Sequence, residues 1–134
     1  MSEPTRVGIV LVSHSASLAQ GTADLACQVS GGTVAIVPAG GTDDDRLGTS
    51  IDKVRAALVA ADSGAGVVIL PDLGSSVLTV KALLAEDSGL PEPLAVADGP
   101  FVEGAVAATI VAAVGGDVKA VASAAEEARN ARKL

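Results

Sequence analysis

The sequence predicts an α/β protein with an open, parallel four-stranded sheet and helices on both faces. Four short apolar runs occur along the chain, at residues 6–12, 33–39, 66–72 and 94–100. Nearly continuous apolar runs are typical of parallel strands that are buried on both faces. The segments between them carry apolar residues at helical spacing. Strands that alternate with helices over short connections form a parallel sheet covered by helices.

Each helical segment is predicted from the apolar residues that would share its inner face. In chain order, the inner faces of the first four helices are Leu18, Thr22, Leu25, Ala26 and Val29; Ile51, Val54, Leu58 and Ala61; Val77, Val80 and Leu84; and Val102, Val106, Ile110 and Val114. A fifth helix is predicted after Asp117, a residue type that caps helix N-termini. Its inner face would contain Val118, Val121, Ala122 and Ala125.

Composition excludes several classes of function. The 134 residues fit one domain, and 49% hydrophobic residues with a mean hydropathy of +0.51 exclude a disordered chain. Nine basic and 16 acidic residues give a net charge of −7, which argues against nucleic acid as a partner. Cys27 is the only cysteine, so the chain has no intramolecular disulfide and suits a reducing compartment. The longest apolar stretch, 104–116, is shorter than the ~20 residues that span a bilayer. We therefore expect a cytoplasmic protein without a membrane partner.

Unusual polar residues follow every predicted strand. The first strand ends in Ser13-His14-Ser15, and the others run into the polar, glycine-rich segments 38–50, 71–76 and 97–104. The carboxyl ends of parallel strands lie at one edge of the sheet, where such folds bind ligands. The sequence therefore predicts a functional site at this edge.

His14, the only histidine, is the predicted nucleophile of this site. A neutral imidazole nitrogen can attack a phosphoryl group when a hydrogen bond holds the other ring nitrogen. Asp72, at the end of the third strand, could supply that bond, or it could only cap the helix that follows. Hydroxyls of Thr42, Thr49, Ser75 and Ser76 and the backbone N–H groups of the glycine-rich turns could bind the phosphoryl oxygens. The three consecutive aspartates at 43–45 do not have the spacing of metal ligands, so no metal site is predicted.

Four motifs, taken together, resemble a known family over residues 6–130. They are VGIVLVSHSASLAQG, GGTDDDRLGTS, PDLGSSVLTVKALL and DGPFVEGAVAA. In this order they resemble the mannose-class enzyme IIA domains of the phosphotransferase system, and especially the branch that serves dihydroxyacetone kinase. The resemblance implies one mannose-class (type 4) domain over residues 1–134, with His14 phosphorylated on Nε2. Asp72 is predicted as the second catalytic residue from its position alone, since it could orient His14 from the end of the third strand. The residues predicted to bind phosphate are Ser13, Ser15, Gly41, Thr42, Gly74, Ser75 and Ser76.

The resemblance also implies partners and a strand order. The protein HPr would phosphorylate His14, and the phosphoryl group would pass to ADP in the subunit DhaL, while the subunit DhaK holds dihydroxyacetone. The domain would need no cofactor beyond this transient phosphate. The family forms homodimers, and its sugar-transporter branch adds an antiparallel edge strand. Because residues 117–134 are predicted as helix, we expect only four parallel strands, in the order 2-1-3-4.

Two other classes of function remain open at this stage. A receiver-like signalling domain would be phosphorylated on Asp72, although receivers carry paired acidic residues for Mg²⁺ where this chain has Ser13 and His14. A binding or scaffold domain without catalysis is the second. A Ser-His-Asp hydrolase built on Ser13 or Ser15 is disfavoured, because adjacent side chains on a strand point to opposite faces.

Overall fold

The fold is taken from a computed structural model that describes residues 5–42, 44, 46, 48–86 and 89–134. Two of the three aspartates at 43–45, on which metal binding was considered, lie outside these residues. The prediction of a single domain over 1–134 likewise includes positions that are not described.

The described residues form four strands and five helices that alternate along most of the chain. In chain order these are β1 (Gly8–Ser13), α1 (Ala16–Ser30), β2 (Ile36–Gly40), α2 (Ile51–Ala61), β3 (Val67–Pro71), α3 (Gly74–Glu86), β4 (Leu94–Val96), α4 (Phe101–Ala113) and α5 (Val118–Glu127), followed by the 3₁₀ turn Ala128–Asn130. All strand pairs are parallel, in the order β2-β1-β3-β4. The predicted fold class and strand order are confirmed.

Helices cover both faces of the sheet. One apolar core lies between the sheet and helices α1, α4 and α5, and a second lies between the sheet and helices α2 and α3. Every residue of β1 and of β3 is buried. The fourth strand is shorter than the predicted run 94–100, because the chain turns at Gly99 and Pro100 to start α4.

Two helices differ from the prediction in the face that they bury. Helix α1 buries Ala19, Thr22, Ala23 and Ala26, while Leu18, Leu25 and Val29 are 43%, 44% and 50% exposed. Helix α4 buries Gly104, Ala105, Ala108, Thr109 and Ala112, whereas its Ile110 and the C-cap residue Val114 are 47% and 82% exposed. Small residues face the sheet because they let the helix axis come close to it. The large apolar residues are therefore left at the outer surface.

The other inner faces follow the prediction more closely. In α2, Val54, Leu58 and Ala61 are buried, as predicted. In α5, Asp117 accepts a hydrogen bond from the Ala120 N–H as the predicted N-cap, and Val118, Val121 and Ala125 are buried. Helix α3 buries Val80 as predicted, but its other buried positions are Ser76 and Leu83. Ser76 turns inward because it belongs to the polar cluster described below.

The carboxyl ends of the central strands lie side by side. Ser13 of β1 pairs with Gly40 of β2, and Val12 pairs with Pro71 of β3. The residues that follow these strands, His14, Gly41 and Asp72, therefore meet at one edge of the sheet.

Candidate functional site

The centre of the site is an imidazole held by a carboxylate. Nδ1 of His14 lies 3.0 Å from Oδ1 of Asp72, and the two side chains are 27% and 6% exposed. The strand order explains this contact, since β1 and β3 are hydrogen-bonded neighbours and each residue directly follows its strand. The Asp72 N–H also donates to the Val12 carbonyl, 2.8 Å away, which continues the pairing by one residue.

The Asp72 carboxylate accepts further hydrogen bonds from the chain around it. Its Oδ2 accepts from the Ser13 hydroxyl at 2.9 Å and from the His14 N–H at 3.0 Å. Its Oδ1 accepts from the Leu73 N–H at 2.7 Å. Both oxygens are thus occupied by donors, so the carboxylate has a fixed orientation.

These donors keep Asp72 ionised. Burial raises the pKa of Asp72, whereas hydrogen bonds to the charged form lower it. The donors that lower it are, from the largest effect to the smallest, the His14 N–H, the Ser76 hydroxyl, the Leu73 N–H and the Ser13 hydroxyl. Together they outweigh burial and hold the pKa below its ordinary value of 3.8. The carboxylate is therefore negative at neutral pH.

An ionised carboxylate next to Nδ1 determines the tautomer of the imidazole. A carboxylate can only accept, so Nδ1 carries the proton and Nε2 keeps its lone pair. Nε2 points towards the start of α3, where it contacts the hydroxyl of Ser75. The nucleophilic nitrogen, Nε2, therefore faces the exposed N-terminal end of α3. Helix N-termini favour negatively charged groups such as phosphate.

A pair of hydroxyls also supports the imidazole at Nδ1. Ser76 is fully buried, and its Oγ lies 3.2 Å from Nδ1 of His14 and 2.8 Å from the Oγ1 of Thr49. Thr49 belongs to the loop between β2 and α2, and Gly48 of the same loop donates its N–H to the His14 carbonyl at 2.9 Å. His14, which follows β1, is therefore held by the segments that follow β2 and β3.

A family match covers all of these residues. Residues 8–122 match the family model EIIA-man, described as the PTS system fructose IIA component. The chain belongs to the EIIA-man family.

This EIIA-man domain is similar to proteins named as the phosphoryl donor subunit DhaM of PEP-dependent dihydroxyacetone kinase. It is 34% identical over 116 residues to the subunit of kinase 2 from Listeria innocua, covering 86% of this chain and 93% of that protein. It is 35% identical over 133 residues to DhaM of Escherichia coli K12, covering 95% of this chain. The EIIA-man domain spans 28% of the length of that second relative.

A solved structure shares the fold. The crystal structure of the unknown function protein EF1359 matches with a TM-score of 0.78 at 31% sequence identity. The match covers 97% of this chain and 98% of that one. The EIIA-man sheet and its surrounding helices therefore have an experimental counterpart over nearly their whole length.

The residues predicted to bind phosphate in the EIIA-man domain lie in different environments. Ser75 contacts Nε2, and Gly74, with a φ of +35°, begins the helix beside it. Ser15 caps α1 by accepting from the Leu18 N–H. Ser13 is fully buried, so its side chain faces Asp72 and not the exposed edge of the imidazole.

The two predicted residues of the β2–α2 loop of the EIIA-man domain make their hydrogen bonds within the chain. Gly41, with a φ of +76°, donates its N–H to the Ser13 carbonyl. The Thr42 hydroxyl donates to Asp44 and accepts from the Arg46 N–H at 3.0 Å. Arg46 also forms an ion pair with Asp44 at 2.7 Å. Both predicted residues therefore already make hydrogen bonds to other groups of the chain.

Sequence reasoning missed the support that surrounds the central pair. The Leu73 and Gly48 N–H groups hold Asp72 and His14, but a backbone donor carries no signature in the residue type. Thr49 was considered only as a possible phosphate ligand, whereas it pairs with Ser76. Among the described residues of the EIIA-man domain there is no cluster of three or more His, Cys, Asp or Glu residues suited to a metal ion, and none of the helices is long and apolar enough to cross a membrane.

Proposed function

We propose that this domain is a phosphoryl carrier that accepts a phosphoryl group on Nε2 of His14 and serves as a phosphoryl donor subunit of a dihydroxyacetone kinase. The single observation that carries the proposal is the orientation of the imidazole. Its Nδ1 is held by ionised Asp72, while its Nε2 faces the N-terminal end of α3. The names of the DhaM relatives support the role as phosphoryl donor to a dihydroxyacetone kinase.

The transfer step follows from this geometry. The Nε2 lone pair attacks the phosphorus of a phosphorylated donor protein; the donor's bond to phosphorus breaks, and its electron pair stays with the donor. The ring gains positive charge as the new N–P bond forms, and Asp72 beside Nδ1 stabilises that charge without taking the proton. The Ser75 hydroxyl is free to turn from Nε2 to a phosphoryl oxygen. Transfer onwards to the acceptor reverses these steps.

The resemblance to the family supplies the partners of the proposal. HPr would be the donor, ADP held by DhaL the acceptor, and dihydroxyacetone held by DhaK the final substrate. A net charge of −7 favours a donor with a basic docking face. The phosphoryl group is then the only group that the domain carries, with no cofactor, and the reaction would take place in the cytoplasm.

A receiver-like phosphorylation of Asp72 is less well supported. The Asp72 side chain is 6% exposed, compared with 27% for His14, and each carboxylate oxygen already accepts at least two hydrogen bonds. An attack by Asp72 would break these bonds. A scaffold without catalysis would not need a nucleophilic nitrogen held in one tautomer.

Phosphorylation with purified proteins tests the proposal. Incubation with phosphoenolpyruvate, enzyme I and HPr should place one phosphoryl group per chain, labile to acid and stable to base. The His14→Ala variant should accept none, whereas the exposed-site control Ser17→Ala should be labelled as wild type. Full labelling of His14→Ala would overturn the proposal. An acid-stable, hydroxylamine-sensitive label would favour Asp72.

Reconstitution tests the pathway separately. Addition of DhaK, DhaL, ADP and dihydroxyacetone to the phosphorylating mixture should produce dihydroxyacetone phosphate at a rate that depends on His14. Phosphorylated domain that fails to pass its phosphoryl group to this system would restrict the proposal to the carrier chemistry and reject the assigned pathway.

We also propose that the domain forms a homodimer through helices α1 and α4. Leu18, Leu25 and Val29 lie in one stripe on α1, on the side opposite Gln20, which faces the groove against α2. The exposed Ile110 of α4 lies on the side away from Gly104, which packs against α5. Helices α1 and α4 pack against each other, and from this we infer that their exposed apolar residues lie side by side. We call Leu18, Leu25, Val29, Ile110 and Val114 the apolar face.

A further inference from the structure

Ser13 is a buried polar residue next to the phosphoryl-accepting histidine. It is fully buried at the end of β1, so neither a phosphoryl group nor a partner protein can reach its side chain. Its Oγ is 2.9 Å from Oδ2 of Asp72 and 3.0 Å from the backbone nitrogen of Ser15. The hydroxyl therefore joins the start of α1 to the carboxylate at the end of β3.

The direction of these two hydrogen bonds is determined by chemistry. The Ser15 N–H can only donate, so the Ser13 oxygen is its acceptor. A hydroxyl has a single proton, and the carboxylate oxygen of Asp72 is the acceptor that remains for it. The hydroxyl is thus compatible with an unprotonated Oδ2. A proton on Oδ2 would place two hydrogen-bond donors against each other.

The two oxygens of Asp72 consequently have separate tasks. Oδ2 accepts from the last residue of β1 and from the residue after it, through the Ser13 hydroxyl and the His14 N–H. Oδ1 is left facing Nδ1 of His14 and the Leu73 N–H. Loss of one donor from Oδ2 allows the carboxylate to rotate about its Cβ–Cγ bond, and rotation moves Oδ1 away from Nδ1.

We propose that Ser13 is a positioning residue for phosphoryl transfer, which acts through Asp72 to keep the proton of His14 on Nδ1. This proposal rests on the proposed function of His14 as the phosphoryl acceptor. Ser13 does not touch the phosphoryl group, so its effect should appear only through the carboxylate. In this it differs from Ser75, whose hydroxyl contacts Nε2 directly.

The proposal has a consequence for pH dependence. The Ser13 hydroxyl is one of the donors that lower the pKa of Asp72, so its removal should raise that pKa towards the ordinary value of 3.8. Among the described residues, His14 is the titratable group that contacts the carboxylate. Protonation of Asp72 removes the carboxylate that holds Nδ1, so the titration of this carboxyl group reports directly on the Ser13 hydrogen bond. The carboxyl ¹³C shift of Asp72 should therefore titrate at a higher pH in Ser13→Ala than in wild type.

The test compares Ser13→Ala with a matched variant. Thr109→Val also removes a fully buried hydroxyl, which donates to the Ala105 carbonyl on α4 and has no contact with the site. We expect Ser13→Ala to accept phosphoryl groups from phosphorylated HPr about tenfold more slowly, the loss expected when a charged group loses one hydrogen bond. Thr109→Val should accept them at the wild-type rate.

Two readouts separate positioning from a general loss of structure. Imidazole ¹⁵N shifts of the unphosphorylated protein should show the proton on Nδ1 in wild type and shared between both nitrogens in Ser13→Ala. In an Asp72→Asn background, adding Ser13→Ala should cause less than a twofold further change, because residues that act through one another are not additive. The shifts need no phosphorylation, so they test Ser13 even if His14 proves not to accept phosphoryl groups.

The outcomes that overturn the proposal are specific. Ser13→Ala with wild-type ¹⁵N shifts and an unmoved titration of Asp72 would show that the hydroxyl has no positioning role. A full tenfold loss added on top of Asp72→Asn, or an equal loss in Thr109→Val, would show that Ser13 acts through the stability of the fold.

Discussion

The chemistry of the site depends on which nitrogen of one imidazole carries the proton. Asp72 determines this because its carboxylate is ionised, 6% exposed and 3.0 Å from Nδ1. Catalytic triads use the same arrangement, in which a buried aspartate holds the imidazole in one tautomer and stabilises the charge that forms on it. In this domain the imidazole itself is the proposed nucleophile, so the tautomer decides directly whether Nε2 can react.

Replacing Asp72 by asparagine should greatly slow phosphoryl acceptance. An amide can donate to Nδ1, which favours the tautomer with the proton on Nε2 and removes the lone pair from the exposed side. We expect a decrease of about 100-fold or more, in line with the effect of the same change in triads. The rate of labelling by phosphorylated HPr measures it. Asp24→Asn, an exposed position on α1, is the control and should behave as wild type.

The same carboxylate should make stability depend on pH. The pKa of Asp72 is lowered in the folded protein, so its contribution is present above the ordinary value of 3.8 and is lost as pH falls below it through the folded value. Urea unfolding between pH 6 and about pH 2.5 measures the free energy of unfolding across this window. Asp72→Asn should lack part of the acid-induced decrease, and an unchanged slope would contradict the assignment.

At the scale of the elements, the packing of β2 against α1 positions the loop that carries His14. A Cβ built on Gly40 would lie 2.5 Å from the Ser15 carbonyl oxygen and 2.7 Å from the Cα of Ala16. Both atoms are backbone, so they cannot move aside without shifting the start of α1. Only glycine permits this approach.

Gly40→Ala should therefore destabilise the fold and disturb the site together. We expect a decrease of about 1–3 kcal/mol in the free energy of unfolding, as for other overpacked sites, and slower phosphorylation of His14. Gly21→Ala, on α1 where a Cβ would meet nothing within 4 Å, should instead raise stability by roughly 0.5–1 kcal/mol. Equal effects of the two substitutions on unfolding and labelling would show that the contact at Gly40 is unimportant.

The elements also show where prediction from the sequence succeeds and where it ends. The fold class could be predicted because β1 and β3 are apolar on both faces. The position of His14 and Asp72 at one edge of the sheet could be predicted because the carboxyl ends of parallel strands lie together. The inner faces of α1 and α4 could not, because alanine suits both a core and a surface, and the close packing that selects it is a tertiary property. The contacts of Ser13, Thr49 and Gly48 depend on distances between loops, which residue type does not encode.

At the scale of the whole molecule, charge and the apolar face lead to one expectation about assembly. The net charge of −7 makes copies of the domain repel one another over most of their surface. The apolar face exposes five large apolar side chains at two helices that pack against each other, and contiguous exposed apolar patches mark interaction sites. An interface made by the same patch on both copies is the commonest arrangement of homodimers.

Ile110→Glu should convert the proposed homodimer to a monomer, because it would bury one carboxylate from each copy in an apolar interface. Sedimentation velocity of the wild type and the variant measures the change. Val59→Glu is the matched control: it introduces the same charge at a residue 67% exposed on α2, on the opposite side of the sheet, and should remain dimeric. A monomeric wild type, or a dimer that survives Ile110→Glu, would reject the apolar face as the interface. If Ile110→Glu is monomeric and still accepts phosphoryl groups on His14 at the wild-type rate, each site works within one chain, as expected when its imidazole, carboxylate and supporting hydroxyls all come from that chain.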